Sequence, residues 1–193
     1  MDPDAYLCQL AEIFNGISVN TPSLSAIIAI ILAGLLLLAS GFASASEIAF
    51  FSLSPSDLND IEEGNHPSDG KISNLLADSE RLLATILITN NFVNVTIIML
   101  CNFFFMNVFV FHSPLAEFLI LTVILTFLLL LFGEIMPKIY SAQKTLAFCR
   151  FSAPVIYMLR KVFAPISAVL VHSTAFLNKH FAKKNHNISV DEL

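Results

Sequence analysis

The sequence predicts an all-α integral membrane protein with three transmembrane helices, N-terminus out and C-terminus in, together with amphipathic juxtamembrane helices. Three observations carry that prediction. Apolar residues make up 56% of the 193 and charged residues only 13%, with a strongly positive mean hydropathy, which is far outside the range of soluble domains. The apolar residues gather in three runs, each long enough to cross a hydrocarbon core of about 30 Å. All ten Lys and Arg lie within residues 52–81 or 138–193 and none within 1–24 or 110–116, which the positive-inside rule reads as three spans with the N-terminus outside.

Residues 1–24 form an extracytoplasmic segment without Lys or Arg, so no basic region precedes the first apolar run and a cleaved signal peptide is not expected. The first span covers about residues 25–51, roughly 40 Å of helix, more than the bilayer needs, so it tilts, bends or projects. Inside it stands Ser40-Gly41-Phe42-Ala43-Ser44-Ala45-Ser46-Glu47. Ser40, Ser44 and Glu47 are spaced i, i+4, i+7 and share a helix face, while Ser46 points away. Gly41, Ala43 and Ala45 would let another backbone approach closely.

Ser54-Pro55-Ser56-Asp57 is a helix start, with Ser54 as N-cap and Pro55 at the first helical position. The helix it opens stops near Gly64, and His66-Pro67-Ser68-Asp69-Gly70 makes a turn. Ile72, Leu75 and Leu76 then recur at helical spacing, so about 55–77 reads as juxtamembrane and too short to span. The acidic face of residues 57–63 reads as a solvated surface. Asp78 or Ser79 caps the second span, about 82–109, which carries Asn90, Asn91, Asn94, Asn102 and Asn107. Asn102 and Asn107, nearer the outer end, read as interhelical glue.

His112-Ser113-Pro114 is a tight turn, and the third span runs over about 116–137. It is almost purely apolar until Gly133-Glu134-Ile135-Met136-Pro137-Lys138. In an α-helix Pro137 lacks the donor that would bond the Gly133 carbonyl, which is thereby freed beside a carboxylate. Residues 154–177 have the length of a fourth span, but Arg160 and Lys161 near its centre would cost about 2.5 to 3.5 kcal/mol each. Pro154 and Pro165 are therefore expected to divide about 141–182 into short amphipathic helices at the interface. Residues 183–193 read as the start of a linker.

Ser40 to Glu47, Asn90 to Asn94 and Gly133 to Glu134 all lie within roughly 5 to 17 Å of the cytosolic ends of their spans. Hydroxyls, amides, a freed carbonyl and carboxylates are hard oxygen donors suited to Mg²⁺, Ca²⁺ or Na⁺ rather than Zn²⁺ or copper. A single serine in a span commonly bonds back to a backbone carbonyl, and Glu47 could instead form a helix-end salt bridge with Lys138. Glu134, an intramembrane carboxylate beside a helix break, has a functional reading by default. Cys8, Cys101 and Cys149 lack CxxC spacing, and the five histidines are scattered. No span carries a zincin, Ser/Lys, rhomboid-type or paired-aspartate motif, so an enzyme is not expected.

Ser40-Gly41-Phe42 through Ser46-Glu47-Ile48-Ala49-Phe50-Phe51-Ser52-Leu53, Glu80-Arg81-Leu82-Leu83-Ala84-Thr85 with Asn90-Asn91-Phe92-Val93-Asn94, and Phe132-Gly133-Glu134-Ile135-Met136-Pro137-Lys138 stand in one order and spacing. Together they resemble the transmembrane domain of the CNNM/CorB/CorC family of magnesium transporters, over roughly residues 25–182. The resemblance implies a homodimer of three-helix protomers in the lipid of a bacterial inner (plasma) membrane, exporting Mg²⁺ and driven by inward Na⁺. It implies a dehydrated Mg²⁺ site on Ser40, Ser44, Asn90 or Asn91, the Gly133 carbonyl and Glu134, with Glu47, Asn94, Pro137 and Lys138 supporting or gating. Thr89 stands where the family usually has Gly. Family members continue into a nucleotide-binding pair of CBS modules, which this chain is expected to lack. No nucleic-acid partner is expected. A membrane-embedded Mg²⁺ sensor or scaffold without net transport is the competing reading.

Overall fold

The computed structural model describes residues 17–111 and 114–172. The described chain is helical apart from one two-stranded ribbon. Strand β1 (Ile17–Val19) is followed by helices α1 (Leu24–Phe51), α2 (Pro55–Glu62), α3 (Asp69–Leu76) and α4 (Ser79–Val108), then strand β2 (Phe109–Phe111) and helix α5 (Pro114–Leu128). A π-helical segment (Leu129–Ile135) leads on to α6 (Met136–Gln143), α7 (Thr145–Val162) and α8 (Ala164–His172). Among the described residues, Leu24–Phe51, Ser79–Val108 and Glu117–Gln143 are each long and apolar enough to cross a membrane, and the bent pair Thr145–Val162 and Ala164–His172 reaches that length only if taken as one broken span. The chain is an all-α integral membrane protein.

Two compact units divide the chain, and each is described by itself. The first takes the described parts of Met1–Phe42 and Asn91–Pro137. Its core gathers Ala33, Val93, Ile97, Cys101 and Leu125, with Leu36, Leu37 and Leu129 packed against them. At its outer end β1 pairs antiparallel with β2, Ser18 opposite Val110, and the Asn20 amide donates to the Val108 carbonyl. The Ser23 hydroxyl caps α1 by accepting from the Ala26 amide and donates to Asn107 Oδ1 at 3.3 Å. Asn107 thus links two helices, as its position suggests.

The second unit takes the described parts of Ala43–Asn90 and Lys138–Leu193. Ser54 and Asp57 form a reciprocal capping box at the start of α2, so Pro55 sits at the position where its missing donor costs nothing. Gly64 ends that stretch at φ 69°, a conformation that glycine adopts without a Cβ penalty. Asp78 caps α4 by accepting from the Arg81 amide at 3.2 Å. Helix α3 packs on α2 and α7, burying Ile72 and Leu75.

Asp69 is the hub of this belt. It is fully buried, accepts from Arg150 Nε at 2.8 Å and Nη2 at 3.1 Å, and accepts the His66 amide at 2.9 Å. The guanidinium hydrogen bonds hold its carboxyl below the usual aspartate range, against the opposing effect of burial. Cys149, beside this pair, is fully buried, and burial pushes its thiol up to about 12. A thiol kept protonated in this way is inert packing.

Two expectations are corrected. Pro137 does not end the third long helix, which continues to Gln143, because the π turn ahead of it absorbs the misfit. Pro154 does not divide the amphipathic segment. It stands exposed inside α7, so the lost backbone bond faces outward, and the continuous face of Cys149, Ala153 and Ile156 holds the helix together. The division falls at Phe163, where α7 and α8 meet at 78°, with Pro165 in the first turn of α8. The expected turn at His112 and Ser113, the N-terminal segment before Ile17 and the linker at 183–193 lie outside the described residues.

Candidate cation site

In the first unit Ser40 meets one of the predicted asparagines, Asn94, and the backbone at Gly133. The Ser40 side chain is fully buried on α1, and its hydroxyl donates to Asn94 Oδ1 on α4 at 2.6 Å. The sequence placed Asn94 in a supporting role and favoured Asn90 and Asn91. Asn91 is exposed and Asn94 half-buried, because one residue turns a helical side chain by about 100° and only one asparagine of a neighbouring pair can face a given partner. Asn90 belongs to the second unit, where it is half-buried and engaged.

The backbone of the third long helix approaches Ser40 through Gly133. A Cβ built on Gly133 would lie 3.1 Å from Ser40 Oγ and 3.4 Å from Leu37 Cδ1, so α1 and the π segment meet closely enough that a larger residue would make the Ser40 hydroxyl give way. Gly41 makes the reciprocal approach, its added Cβ falling 2.9 Å from Pro137 Cγ and 3.3 Å from the Phe132 carbonyl oxygen. Glu134 is half-buried and engaged.

The π geometry changes which carbonyl the proline deprives. The Met136 amide donates to Leu131, five residues back, and by that count the donor missing at Pro137 would have served Phe132. The α-helical count gives Gly133 instead. The ladder changes between these residues, and the Phe132 carbonyl oxygen faces Gly41 on α1. Sequence alone did not show Phe132 in this role, since nothing in its side chain signals a π turn.

In the second unit Ser44 is fully buried, and its Oγ has no hydrogen-bond partner among the described residues. A buried hydroxyl left in that state costs about 1 to 3 kcal/mol and calls for an unseen partner such as water or an ion. Ser46, expected to face away, is also fully buried and is engaged. Glu47 forms the helix-end ion pair with Lys138 Nζ at 3.2 Å, both side chains partly exposed. Ser141 Oγ donates to the Ala45 carbonyl at 2.6 Å, a second tie between the end of α1 and α6. Thr85 and Thr89 return their hydroxyls to the carbonyls of Arg81 and Thr85, each at 2.8 Å, so Thr89 is satisfied within its own helix.

Among the described residues no three His, Cys, Asp or Glu side chains cluster to hold a metal. What the first unit offers here is the Ser40 hydroxyl and the Asn94 amide oxygen beside the Gly133 backbone, with Glu134 the next residue along the chain. That donor set suits a hard cation that can come and go better than a transition metal held permanently.

A UPF0053 protein of Haemophilus influenzae (strain ATCC 51907 / DSM 11121 / KW20 / Rd) is 32% identical over 130 residues, 67% of this chain. The chain spans 30% of that relative's length. The family model described as CNNM, cyclin M transmembrane N-terminal domain, matches residues 30–193. By the extent of that match, and by the three motifs that the fold carries on its three long helices, the chain belongs to the CNNM transmembrane domain family.

Proposed function

We propose that this domain transports Mg²⁺ across the membrane as an exporter coupled to inward Na⁺, through a site that holds the ion stripped of most of its water. The observation that carries this reading is the Ser40 to Asn94 hydrogen bond beside Gly133, on a π turn that also bears Glu134. Mg²⁺ gives up its waters reluctantly, so a site that removes them must set several oxygens in place beforehand. The short Ser40 to Asn94 bond fixes two side-chain oxygens, and the π turn supplies carbonyls. Glu134 contributes the charge that makes binding a divalent cation favourable and is itself relieved by the cation in a low-dielectric setting. In the second unit the unpartnered Ser44 hydroxyl is a further oxygen suited to a hard cation, and Asn90 stands as a candidate there on its chemistry. The same reading takes the protein as a homodimer of a bacterial inner membrane.

A helix that passes from π to α winding can shift by a residue without breaking, which is the kind of joint that alternating access needs. The test is efflux of Mg²⁺ from loaded proteoliposomes, with and without an inward Na⁺ gradient. Wild type should empty the vesicles faster with the gradient, and Glu134→Gln should reduce flux to the protein-free level. Normal flux in Glu134→Gln would remove the ligand assignment. Mg²⁺-dependent thermal stabilisation without flux would instead favour a membrane-embedded sensor or scaffold.

A further inference from the structure

The outer halves of α4 and α5 enclose a cleft of about 380 Å³ in the first unit, away from the cation site. Its floor is the buried pair Leu121 and Leu125, and its polar lining includes Glu117, Asn102 and Thr122. Thr85, Thr89 and Thr96 each satisfy their hydroxyl on a carbonyl four residues back. Asn102 and Thr122 form no hydrogen bond with another described residue. An unpartnered amide and hydroxyl on the flank of membrane-spanning helices are costly against hydrocarbon alone, so the cleft is built for an occupant with polar atoms of its own.

The order of chemistry along the cleft identifies that occupant. Counted from the outer helix ends at about 1.5 Å per residue, Glu117 lies roughly 5 Å deep, Asn102 roughly 9 Å, Thr122 roughly 12 Å and Thr126 roughly 18 Å, with the apolar Leu121 and Leu125 between them on the floor. A carboxylate nearest the outer end, then hydroxyl and amide donors over a hydrocarbon floor, complements a phospholipid carrying a cationic headgroup, ester carbonyls and an acyl chain. No Lys or Arg lies in 110–116 or 1–24, so the chain supplies no basic side chain in those outer segments to compensate Glu117. The volume falls within the usual range of small-molecule sites.

We propose that this cleft is an outer-leaflet phospholipid site in which a primary ammonium headgroup pairs with Glu117, ester carbonyls accept from Asn102 and Thr122, and an acyl chain lies on Leu121 and Leu125. The inference rests on the orientation given by the Lys and Arg distribution and is independent of which ion the protein moves.

Native mass spectrometry of the detergent-purified protein, supplied with phosphatidylethanolamine and phosphatidylglycerol of identical chains, tests it. Wild type should retain the ethanolamine lipid about tenfold better, the scale of one charge-assisted hydrogen bond. Glu117→Gln should abolish the preference, Glu117→Arg should reverse it, and Thr122→Trp, filling the cleft from an exposed position, should reduce retention of both lipids. Equal retention of the two lipids by wild type, or an unchanged preference in Glu117→Gln and Glu117→Arg, overturns the proposal. So does efficient disulfide cross-linking of Phe118→Cys between two copies at the expense of bound lipid, since a second copy would then fill the cleft.

Discussion

Arg150 grips Asp69 with two parallel hydrogen bonds, Nε to Oδ1 at 2.8 Å and Nη2 to Oδ2 at 3.1 Å, and so fastens α7 to the first turn of α3. Asp69 is fully buried, whereas the Arg150 side chain is 23% exposed. The fork geometry of arginine matches a carboxylate in a way that a lysine ammonium does not. This pair adds a directional tie to the apolar burial of Ile72 and Leu75 on the same helix.

Removing one partner leaves the other charge without compensation. Asp69→Asn should cost about 2 to 4 kcal/mol, somewhat below the loss from a fully buried pair because Arg150 reaches solvent. Arg150→Lys, which keeps the charge and loses the fork, should fall between. The folded carboxyl is held below its ordinary value of 3.8. Its contribution is therefore present above about pH 4 and lost as pH falls through the depressed folded value. Thermal melts should show a constant gap between wild type and Asp69→Asn from pH 5 to 8, narrowing below about pH 4. A gap that persists undiminished at pH 2 would contradict this account.

Gly41 and Gly133 differ in what an added methyl would meet. At Gly41 it strikes the Pro137 ring and the Phe132 carbonyl, neither of which can swing aside, so Gly41→Ala should destabilise by about 1 to 3 kcal/mol through overpacking. At Gly133 the nearest atom is the Ser40 hydroxyl, which can turn away. Gly133→Ala should therefore cost less stability than Gly41→Ala and should weaken Mg²⁺ stabilisation by disturbing the Ser40 to Asn94 bond. Melting curves of both variants with and without Mg²⁺ check the contrast, which fails if Gly133→Ala is the more destabilised of the two.

Glu47 and Lys138 meet at 3.2 Å with both side chains partly in solvent. Partly exposed pairs contribute about 0.2 to 1 kcal/mol. Glu47→Gln should accordingly lower stability within that range, and the double exchange Glu47→Lys with Lys138→Glu should recover part of the loss. If Glu47 is a helix-end partner and not a ligand, Glu47→Gln retains most of the Mg²⁺ flux that Glu134→Gln loses. Equal loss in the two variants would restore Glu47 to the site.

The spans, the Ser54 N-cap and the Glu47 to Lys138 pair were legible because each rests on local spacing or charge. Two features were not. The π turn before Pro137 depends on how α1 packs at Gly41 and Gly133, and no residue preference distinguishes it from an α-helix with a break. That Asn94 rather than Asn91 meets Ser40 depends on helix rotation within the unit, which the five residues from Asn90 to Asn94 leave open. Pro154 misled for a related reason, since its cost in a helix is reduced when its face is exposed and the opposite face is well buried.

Ser44 offers the sharpest separation of structural from functional burial. Its hydroxyl is fully buried and has no partner among the described residues, while Ser40 and Ser141 each donate a bond of 2.6 Å. If the Ser44 oxygen served packing alone, Ser44→Ala would remove an unsatisfied group and raise stability by about 1 kcal/mol under all conditions. If it helps hold a hard cation, the same substitution stabilises the ion-free protein but reduces the additional stabilisation that Mg²⁺ provides. Melting temperatures of wild type and Ser44→Ala, each measured in chelator and in excess Mg²⁺, distinguish the two. The expected result is a crossing, with the variant higher in chelator and wild type higher in Mg²⁺. A variant uniformly more stable by the same margin would make Ser44 an ordinary packing defect.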